Sequence, residues 1–289
     1  MADFVGVVQT LLYGLINGSV IAVGAVGLTL SYGVTRFINF AYGELLTLGA
    51  YTALLLVGMG LGLPVAAVVA VLVIGVGGVL VARVFYDPLS DRGALPLLIT
   101  SIGVAFVLRN LVRAAAGTEA RQLPVPLMRP WVVAGLRLNP VDAGVMIAAV
   151  VAMLSIHLLL QRTMLGKKMR ATSGNEQLAR VAGIDTDAVV RRTWLISSVA
   201  GAVAGVLLAV QFPPFRPTMG WDFLIVVFSA TLLGGIGKPY GAMVGALVVG
   251  VAMSVGTRYV ATEYTMAYAF AILVLVLLFK PEGIAGGEL

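Results

Sequence analysis

The 289-residue sequence contains no cysteine, and only 11% of its residues are charged. Without thiols the chain can form neither disulfides nor cysteine metal sites. Soluble globular domains carry roughly 25% charged residues, so this chain has too few to cover a surface in water. Its one histidine, His157, has no second candidate ligand nearby, and we interpret it as a satisfied interfacial residue rather than a metal ligand.

Common motifs of enzymes and nucleotide-binding proteins are also missing. The sequence has no H-E-x-x-H, no G-x-x-x-x-G-K-[ST] and no G-x-S-x-G. Residues 234–238 hold three glycines and Lys238 but lack the phosphate-loop spacing, and we interpret them as a tight turn. The sequence therefore predicts no catalytic residues, no cofactor and no metal, and any ATP that drives the protein must be hydrolysed elsewhere.

What the sequence has is apolar residues, which make up 60% of the chain and give a mean hydropathy of +1.03. This composition predicts an all-α, polytopic transmembrane helical bundle, and the alternating strands of a membrane β-barrel are not seen. No basic segment precedes the first apolar run, so no cleaved signal peptide is expected. We predict about nine spans, with eight to ten as the range, at residues 10–32, 37–57, 63–84, 94–115, 140–161, 191–212, 222–237, 240–257 and 264–280.

One long polar segment, residues 162–192, interrupts this apolar pattern and holds seven of the nineteen Lys and Arg residues. Its basic excess predicts a cytoplasmic location, with the N-terminus, the loop at 116–139 and the other even-numbered connections outside. The net charge of +6 therefore reflects membrane topology and predicts no nucleic-acid partner. Within the segment we predict one short helix at about 173–183, with Ser173 as N-cap, Glu176 as its capping-box partner and Gly183 as its end.

Two segments, residues 36–44 and 211–222, are expected to break the helical pattern at the edge of a span. Residues 19–28 weakly resemble residues 198–207, and an inverted repeat of the kind found in transporters fits this similarity. Gly/Ala/Val-rich sequence also produces such matches by chance. For the outer loop at 116–139, which contains Trp131, a fold over the external mouth and a solvated linker are equally favoured.

Ionisable side chains are costly to insert into a bilayer, so each one in or near a predicted span requires an explanation. One interpretation is that Asn39, Tyr42 and Glu44 face a water-filled path. The alternative is that Glu44 occupies the first turn of a helix at the interface, where the helix dipole favours a carboxylate. The same question arises for Asp222 and Arg109, and there the interfacial position is favoured.

Three segments in fixed order carry a resemblance to a known family. They are residues 38–44 (INFAYGE), residues 169–186 and residues 233–242 (LGGIGKPYGA). The chain resembles the LivH-type permease subunit of branched-chain amino acid ABC importers over nearly its whole length. The resemblance implies a type II ABC importer permease fold in a single transmembrane domain over 1–289, located in the cytoplasmic membrane of a prokaryote. One departure is Tyr42, where the family commonly has His.

The resemblance also implies partners and site residues. The partners are a second, LivM-type permease subunit, two ATPase subunits, an external solute-binding protein and the lipid membrane. The cytoplasmic loop at 162–190 would couple to the ATPase through Glu176, Ala179, Gly183 and Ile184. The substrate pathway is assigned to Asn39, Tyr42, Gly43 and Glu44. The implied substrates are branched-chain or other aliphatic amino acids; a permease for urea or short amides, a secondary transporter and a membrane-embedded enzyme are the alternatives.

Overall fold

A computed structural model of the protein describes residues 2–126, 128–261, 264–279 and 283–284. Lys280, which sequence analysis places inside, lies outside these residues. The helices are α1 (Ala2–Thr35), α2 (Tyr42–Gly58), α3 (Leu63–Val81), α4 (Ala94–Ala116), α5 (Pro140–Arg162), α6 (Met164–Gly174), α7 (Glu176–Val181), α8 (Thr186–Gln211), α9 (Met219–Gly234), α10 (Pro239–Tyr259) and α11 (Thr265–Phe279). A π-helical turn (Ala82–Tyr86) and a 3-10 turn (Asp87–Arg92) extend α3.

Each predicted span contains one of these helices, but not all of them have the length to cross a bilayer. Within the described residues, six helices are long and apolar enough, and α2, α9 and α11 are shorter, with 17, 16 and 15 residues. A full crossing takes about 20 residues. Two of the short helices, α2 and α9, follow the predicted breaks, so their length reflects a start inside the bundle.

Helices α1 and α8 form the centre of the bundle. In both, 72% of the most apolar window is buried, compared with 22% in α5. Small residues allow the close packing, since a Cβ on Gly205 of α8 would overlap the carbonyl of Leu46 in α2. The outer helices α3, α4 and α5 leave apolar side chains such as Leu72, Leu111 and Leu154 uncovered, as expected for surfaces that face lipid or another membrane protein.

The residues predicted to lie outside are gathered at one end of the bundle. There the Gln9 side chain and the Arg137 backbone exchange two hydrogen bonds of 2.7 Å, and Arg121 pairs with Phe215. At the opposite end, Arg36 donates to the carbonyl of Ser173 in the polar segment. The segments predicted to share one side of the membrane thus lie at the same end of the bundle. That the end with Arg36 and Ser173 faces the cytoplasm stays a prediction.

Part of the outer loop forms a small β-hairpin that sequence analysis did not predict. Strands β1 (Trp131–Val133) and β2 (Leu136–Leu138) pair antiparallel, with Val132 opposite Arg137. Ala134 and Gly135 both have positive φ, of 51° and 82°, as a type I′ hairpin turn requires. The hairpin lies against the start of α1, so this loop packs onto that end of the bundle and is not a solvated linker.

The polar segment 162–192 contains two helices rather than the single predicted one. Ser173 lies in the last turn of α6 and caps nothing, so its prediction as N-cap is wrong. Asn175 caps α7 instead, because its side chain accepts a hydrogen bond of 2.9 Å from Leu178 N. The predicted end at Gly183 agrees with the structure, where Gly183 has a φ of +83°.

Candidate functional site

The two broken segments bring the starts of α2 and α9 together inside the bundle. Residues 36–41 are not helical, and α2 then begins at Tyr42, whose hydroxyl donates a hydrogen bond of 2.8 Å to the carbonyl of Gly24, well inside α1. Residues 212–218 likewise precede α9. Both helices therefore start in the bundle interior, an arrangement that transporters use to build solute sites.

Gly43 and Gly220 are the contact between these two helix starts. A Cβ on Gly220 would overlap the carbonyl oxygen of Gly43, so only glycine permits this approach. Next to it, the Gly220 backbone N–H donates to the Thr47 hydroxyl at 3.1 Å, which provides a partner for one of the N–H groups that a helix start leaves unpaired. The start of α9 is thus fixed directly onto the first turns of α2.

Glu44 and Arg109 form a buried ion pair beside this contact. Glu44 Oε1 accepts hydrogen bonds from Arg109 Nε at 3.0 Å and Nη2 at 2.5 Å, and the exposed fractions of the two residues are 0% and 7%. The guanidinium carbon lies 4.6 Å from the ring centroid of Trp221 and 5.5 Å from that of Phe106. The pair therefore joins α4 to the starts of α2 and α9.

These positions correct two expectations. Arg109 was expected at the interface but is buried within the protein, where Glu44 supplies the counter-charge that lets a guanidinium enter the apolar bundle. Glu44 does lie in the first turn of a helix, α2, as one alternative expected. Its side chain has no exposed surface, however, so it contacts neither solvent at an interface nor a water-filled path in this structure. Its second oxygen, Oε2, has no hydrogen-bond partner among the described residues. Tyr42 is also fully covered and Gly43 is buried, so these three residues support the helix starts rather than line an open space.

Asn39 is the predicted pathway residue that does line a cavity. Its side-chain oxygen accepts hydrogen bonds of 3.0 Å from the Ala41 N–H and from the Tyr86 hydroxyl, which fix the non-helical turn before α2. The cavity, of about 100 Å³, is bounded by Asn39 and by apolar side chains that include Phe40, Trp221 and Phe228. It lies directly beside the two helix starts, whose backbone N–H groups carry partial positive charge.

The second group of predicted residues lies on α7, at the opposite end from the β-hairpin. Glu176 is exposed and forms an ion pair of 2.9 Å with Arg180 on the same helix. Gly183 N donates to the carbonyl of Arg180 at 3.1 Å, and Ile184 N donates to that of Ala179 at 3.0 Å, the two bonds of a Schellman motif. Ile184 then packs, half-buried, against the core, so Gly183 and Ile184 anchor the end of α7.

Ala179 does not face outward as expected. Its exposed fraction is 4%, whereas Leu178 and Val181 are 66% and 87% exposed. The short side chain of Ala179 lets α7 lie close to the bundle, and the outward surface is made by the two larger apolar residues. A polar cavity of about 450 Å³ opens beside α7, with Arg180 and Asp187 among its lining residues.

Sequence reasoning did not assign Arg109, Trp221, Leu178 or Val181 to a site. For Arg109 a signal was present, because an arginine inside an apolar helix needs a counter-charge, and Glu44 had the same need. Leu178 and Val181 are three apart on a short helix and so share one face. For Trp221 no sequence signal distinguishes a place at the helix starts from the interfacial place that tryptophan usually takes.

The arrangement suits passage and mechanical coupling more than catalysis. Among the described residues, no three His, Cys, Asp or Glu side chains come together to hold a metal ion. The predicted polar residues lie at two separate places, one inside the bundle at paired helix starts and one on a helix at the end of the bundle. Broken helices that meet in the interior are a feature of membrane transporters.

Comparison with solved structures identifies the fold. The chain superposes on "PsaBC from Streptococcus pneumoniae in complex with Fab" with a TM-score of 0.52 at 15% identity, covering 97% of this chain and 96% of that one. It also superposes on "An inward-facing conformation of a putative metal-chelate type ABC transporter", with a TM-score of 0.51 at 18% identity over 94% and 87% of the two chains. The predicted ABC importer permease fold is confirmed.

Sequence comparison gives the family. Residues 10–277 match the model described as "Branched-chain amino acid transport system / permease component", and the chain belongs to this family. It is 34% identical to the "High-affinity branched-chain amino acid transport system permease protein LivH" of Escherichia coli (strain K12), over 98% of this chain and 97% of that protein. It is a multi-pass membrane permease component of a transport system.

Proposed function

We propose that the protein is a permease subunit of an ABC importer that moves branched-chain or other aliphatic amino acids across the cytoplasmic membrane of a prokaryote. The observation that carries the proposal is the end-to-end similarity to a permease named for branched-chain amino acid transport. The apolar cavity beside the helix starts supports it, because an aliphatic side chain can rest against Phe40, Trp221 and Phe228.

In this proposal residues 1–289 form one transmembrane permease domain, and Asn39, Tyr42, Gly43 and Glu44 belong to the substrate pathway in different ways. Asn39 borders the cavity directly. The other three hold the starts of α2 and α9 in register, through the Gly24 hydrogen bond, the Gly220 contact and the Arg109 ion pair. A shift of either helix start would therefore change the shape of the cavity.

The energy would come from two ATPase subunits that contact the segment 162–190. Leu178 and Val181 support this, because two exposed apolar side chains on a short helix fit a groove in a soluble partner. Helix α7 is firmly attached to the chain on both sides, by the Asn175 cap and by Gly183 and Ile184. Movement of a docked ATPase would therefore be transmitted to α5 and α8. The remaining partners proposed are a LivM-type second permease and an external solute-binding protein.

A competition assay tests the substrate class. The complex, purified with its associated subunits, is placed in proteoliposomes with its binding protein, and uptake of labelled leucine is measured against unlabelled competitors. Isoleucine and valine are expected to suppress uptake, whereas urea and ribose leave it unchanged. Suppression by urea, with no effect of the aliphatic amino acids, would favour the urea-type permease instead.

The docking surface is tested by exchange of its apolar residues. The double variant Leu178→Asn, Val181→Asn is expected to insert normally but to lose its ATPase subunits on purification. Met128, an exposed apolar residue of the outer loop, provides the control as Met128→Asn. Retention of the ATPase subunits by the double variant would assign α7 a connecting role only.

A further inference from the structure

We propose that a second cavity, at the outer end of the bundle, binds the zwitterion of an aliphatic amino acid within this single chain. The cavity has a volume of about 690 Å³ and lies between α1, α9, α10, α11 and the turn before α9. It is on the opposite face of α9 from Trp221 and Phe228, and so is separate from the cavity that Asn39 borders. This inference rests on the proposed function for its substrate class.

Two opposite charges line this cavity without pairing with each other. Asp222 lies in the first turn of α9, and Arg216 lies in the turn before it. Within the described part of the chain, neither side chain forms an ion pair. Arg216 is exposed, and Asp222 is subject to repulsion from the Glu44 carboxylate. An amino acid supplies the complement to both: its ammonium group to Asp222, and its carboxylate to Arg216, which presents planar guanidinium donors.

A third charge, Arg258, closes the rim of the cavity. Its guanidinium donates to the carbonyl of Gly6 and, at 2.8 Å, to the Thr10 hydroxyl, and so holds the end of α10 against the start of α1. These contacts already occupy part of the donor set of Arg258. The cation that is available for a ligand carboxylate is therefore Arg216.

The rest of the wall combines apolar side chains with a short polar chain. Met219, Phe223 and Met253, which are partly exposed, provide a surface for an aliphatic side chain. Opposite charges next to an apolar wall are the features that an aliphatic zwitterion requires.

The polar chain runs through Asn17. Its side-chain oxygen accepts from Gln211 Nε2 at 2.7 Å, and its Nδ2 donates to the Ser254 hydroxyl at 3.3 Å. Asn17 and Ser254 line the cavity, and Gln211, behind Asn17, has its Oε1 atom buried without a partner among the described residues.

The volume of the cavity, about 690 Å³, is within the roughly 300–1,000 Å³ of small-molecule sites. It leaves room for one leucine and several waters.

The absence of native cysteine allows a direct binding assay. In the purified complex in nanodiscs, Ser254→Cys places a single thiol in the cavity wall, and Glu119→Cys places a control thiol on the outer loop. The rate of alkylation by a small maleimide is measured against L-leucine concentration. Leucine is expected to slow alkylation at position 254 in a saturable manner and to leave position 119 unaffected. Urea, which lacks both charges and an aliphatic side chain, should protect neither.

Charge variants identify the residues that hold the ligand. In the Ser254→Cys background, Asp222→Asn and Arg216→Gln should each raise the leucine concentration for half-protection by about tenfold, the effect of one charge-assisted hydrogen bond. Arg129→Gln, on the outer loop, serves as the control and should leave it unchanged. If Asp222→Asn does not yield folded protein, Arg216→Gln and the unmodified background still decide the matter.

The outcomes separate this inference from the proposed function. Leucine uptake by the complex without protection of the thiol introduced at position 254 would overturn the cavity as a binding site. Protection that both charge variants leave intact would overturn the assignment of the zwitterion to Asp222 and Arg216. In both cases the transport function stands. Absence of leucine uptake in every form of the complex would instead overturn the function on which the inference rests.

Discussion

Removal of the Arg109 guanidinium is expected to be among the most destabilising single changes in this chain. Arg109→Met keeps most of the side-chain length but leaves the Glu44 carboxylate fully buried without either of its hydrogen bonds. Breaking a buried pair from one side costs about 3–5 kcal/mol. The lost contact with the Trp221 ring, 4.6 Å from the guanidinium carbon, adds up to about 2 kcal/mol. The expected loss in the free energy of unfolding is therefore at least about 3 kcal/mol.

A double-mutant cycle shows whether the loss comes from the stranded charge. Glu44→Gln, Arg109→Met removes both charges and should be more stable than Arg109→Met alone, because no uncompensated carboxylate remains. Arg113→Met, one turn further along α4, removes a guanidinium that attracts Glu44 from a distance but forms no ion pair among the described residues, and should cost less than Arg109→Met, about 1 kcal/mol or below. Equilibrium unfolding in mixed detergent micelles, followed by tryptophan fluorescence, supplies the free energies.

Two results would contradict this reasoning. Arg109→Met with the stability of the wild type would mean that the ion pair does not support the bundle. A double variant no more stable than Arg109→Met would mean that the loss comes from packing and not from the buried charge. For transport, Glu44→Gln should lower uptake without preventing assembly, since the neutral amide keeps the shape of the side chain but holds Arg109 less firmly over Trp221. Normal uptake by this variant would limit the pair to a structural role.

Three further predictions use the glycines and the cysteine-free background. Gly220→Ala should disrupt the contact with the Gly43 carbonyl and abolish uptake, whereas Gly77→Ala, where a Cβ meets nothing within 4 Å, should leave stability and uptake unchanged. Gly183→Val should strain the left-handed end of α7 and reduce ATPase co-purification and stimulated ATP hydrolysis, although the chain still inserts; full stimulated turnover would show that this helix end is not needed for coupling. The variant Asn175→Cys should be labelled by a membrane-impermeant reagent only in inverted vesicles, and labelling in intact cells would reverse the proposed orientation.

The sequence predicted the larger organisation of the fold because that organisation depends on local patterns. Apolar stretches of membrane length located the helices, and the segment at 36–44, with its Arg, Asn and Glu, and the Pro-rich segment at 211–222 located the breaks. The same reasoning could not show that the breaks meet, because the contact between Gly43 and Gly220 joins residues far apart in the chain. It also could not tell that α2 starts well inside the bundle, which is set by the hydrogen bond from Tyr42 to the Gly24 carbonyl.

Side-chain roles were less accessible from sequence. In the sequence, Glu44 and Arg109 are separate charges near span ends, and for such a charge an interfacial position is the simplest prediction. Only the fold shows that the two side chains neutralise each other. Ala179 was expected to face an ATPase subunit, because a small residue lets another surface come close. In the structure the surface that comes close to Ala179 is the helical bundle of the same chain. The six-residue α7 is too short for its periodicity to fix which face is buried, so Leu178 and Val181 emerged only from the structure.

The measurement that tests the central claim most directly is the energy source of uptake. Proteoliposomes that contain the complete complex, with the binding protein outside, are loaded with ATP or with a non-hydrolysable analogue, and labelled leucine is supplied externally. Accumulation is expected only with hydrolysable ATP, and a protonophore or a sodium ionophore should leave it unchanged. Accumulation that follows an ion gradient and does not require ATP would show a secondary transporter, and would contradict the account of a permease driven through α7.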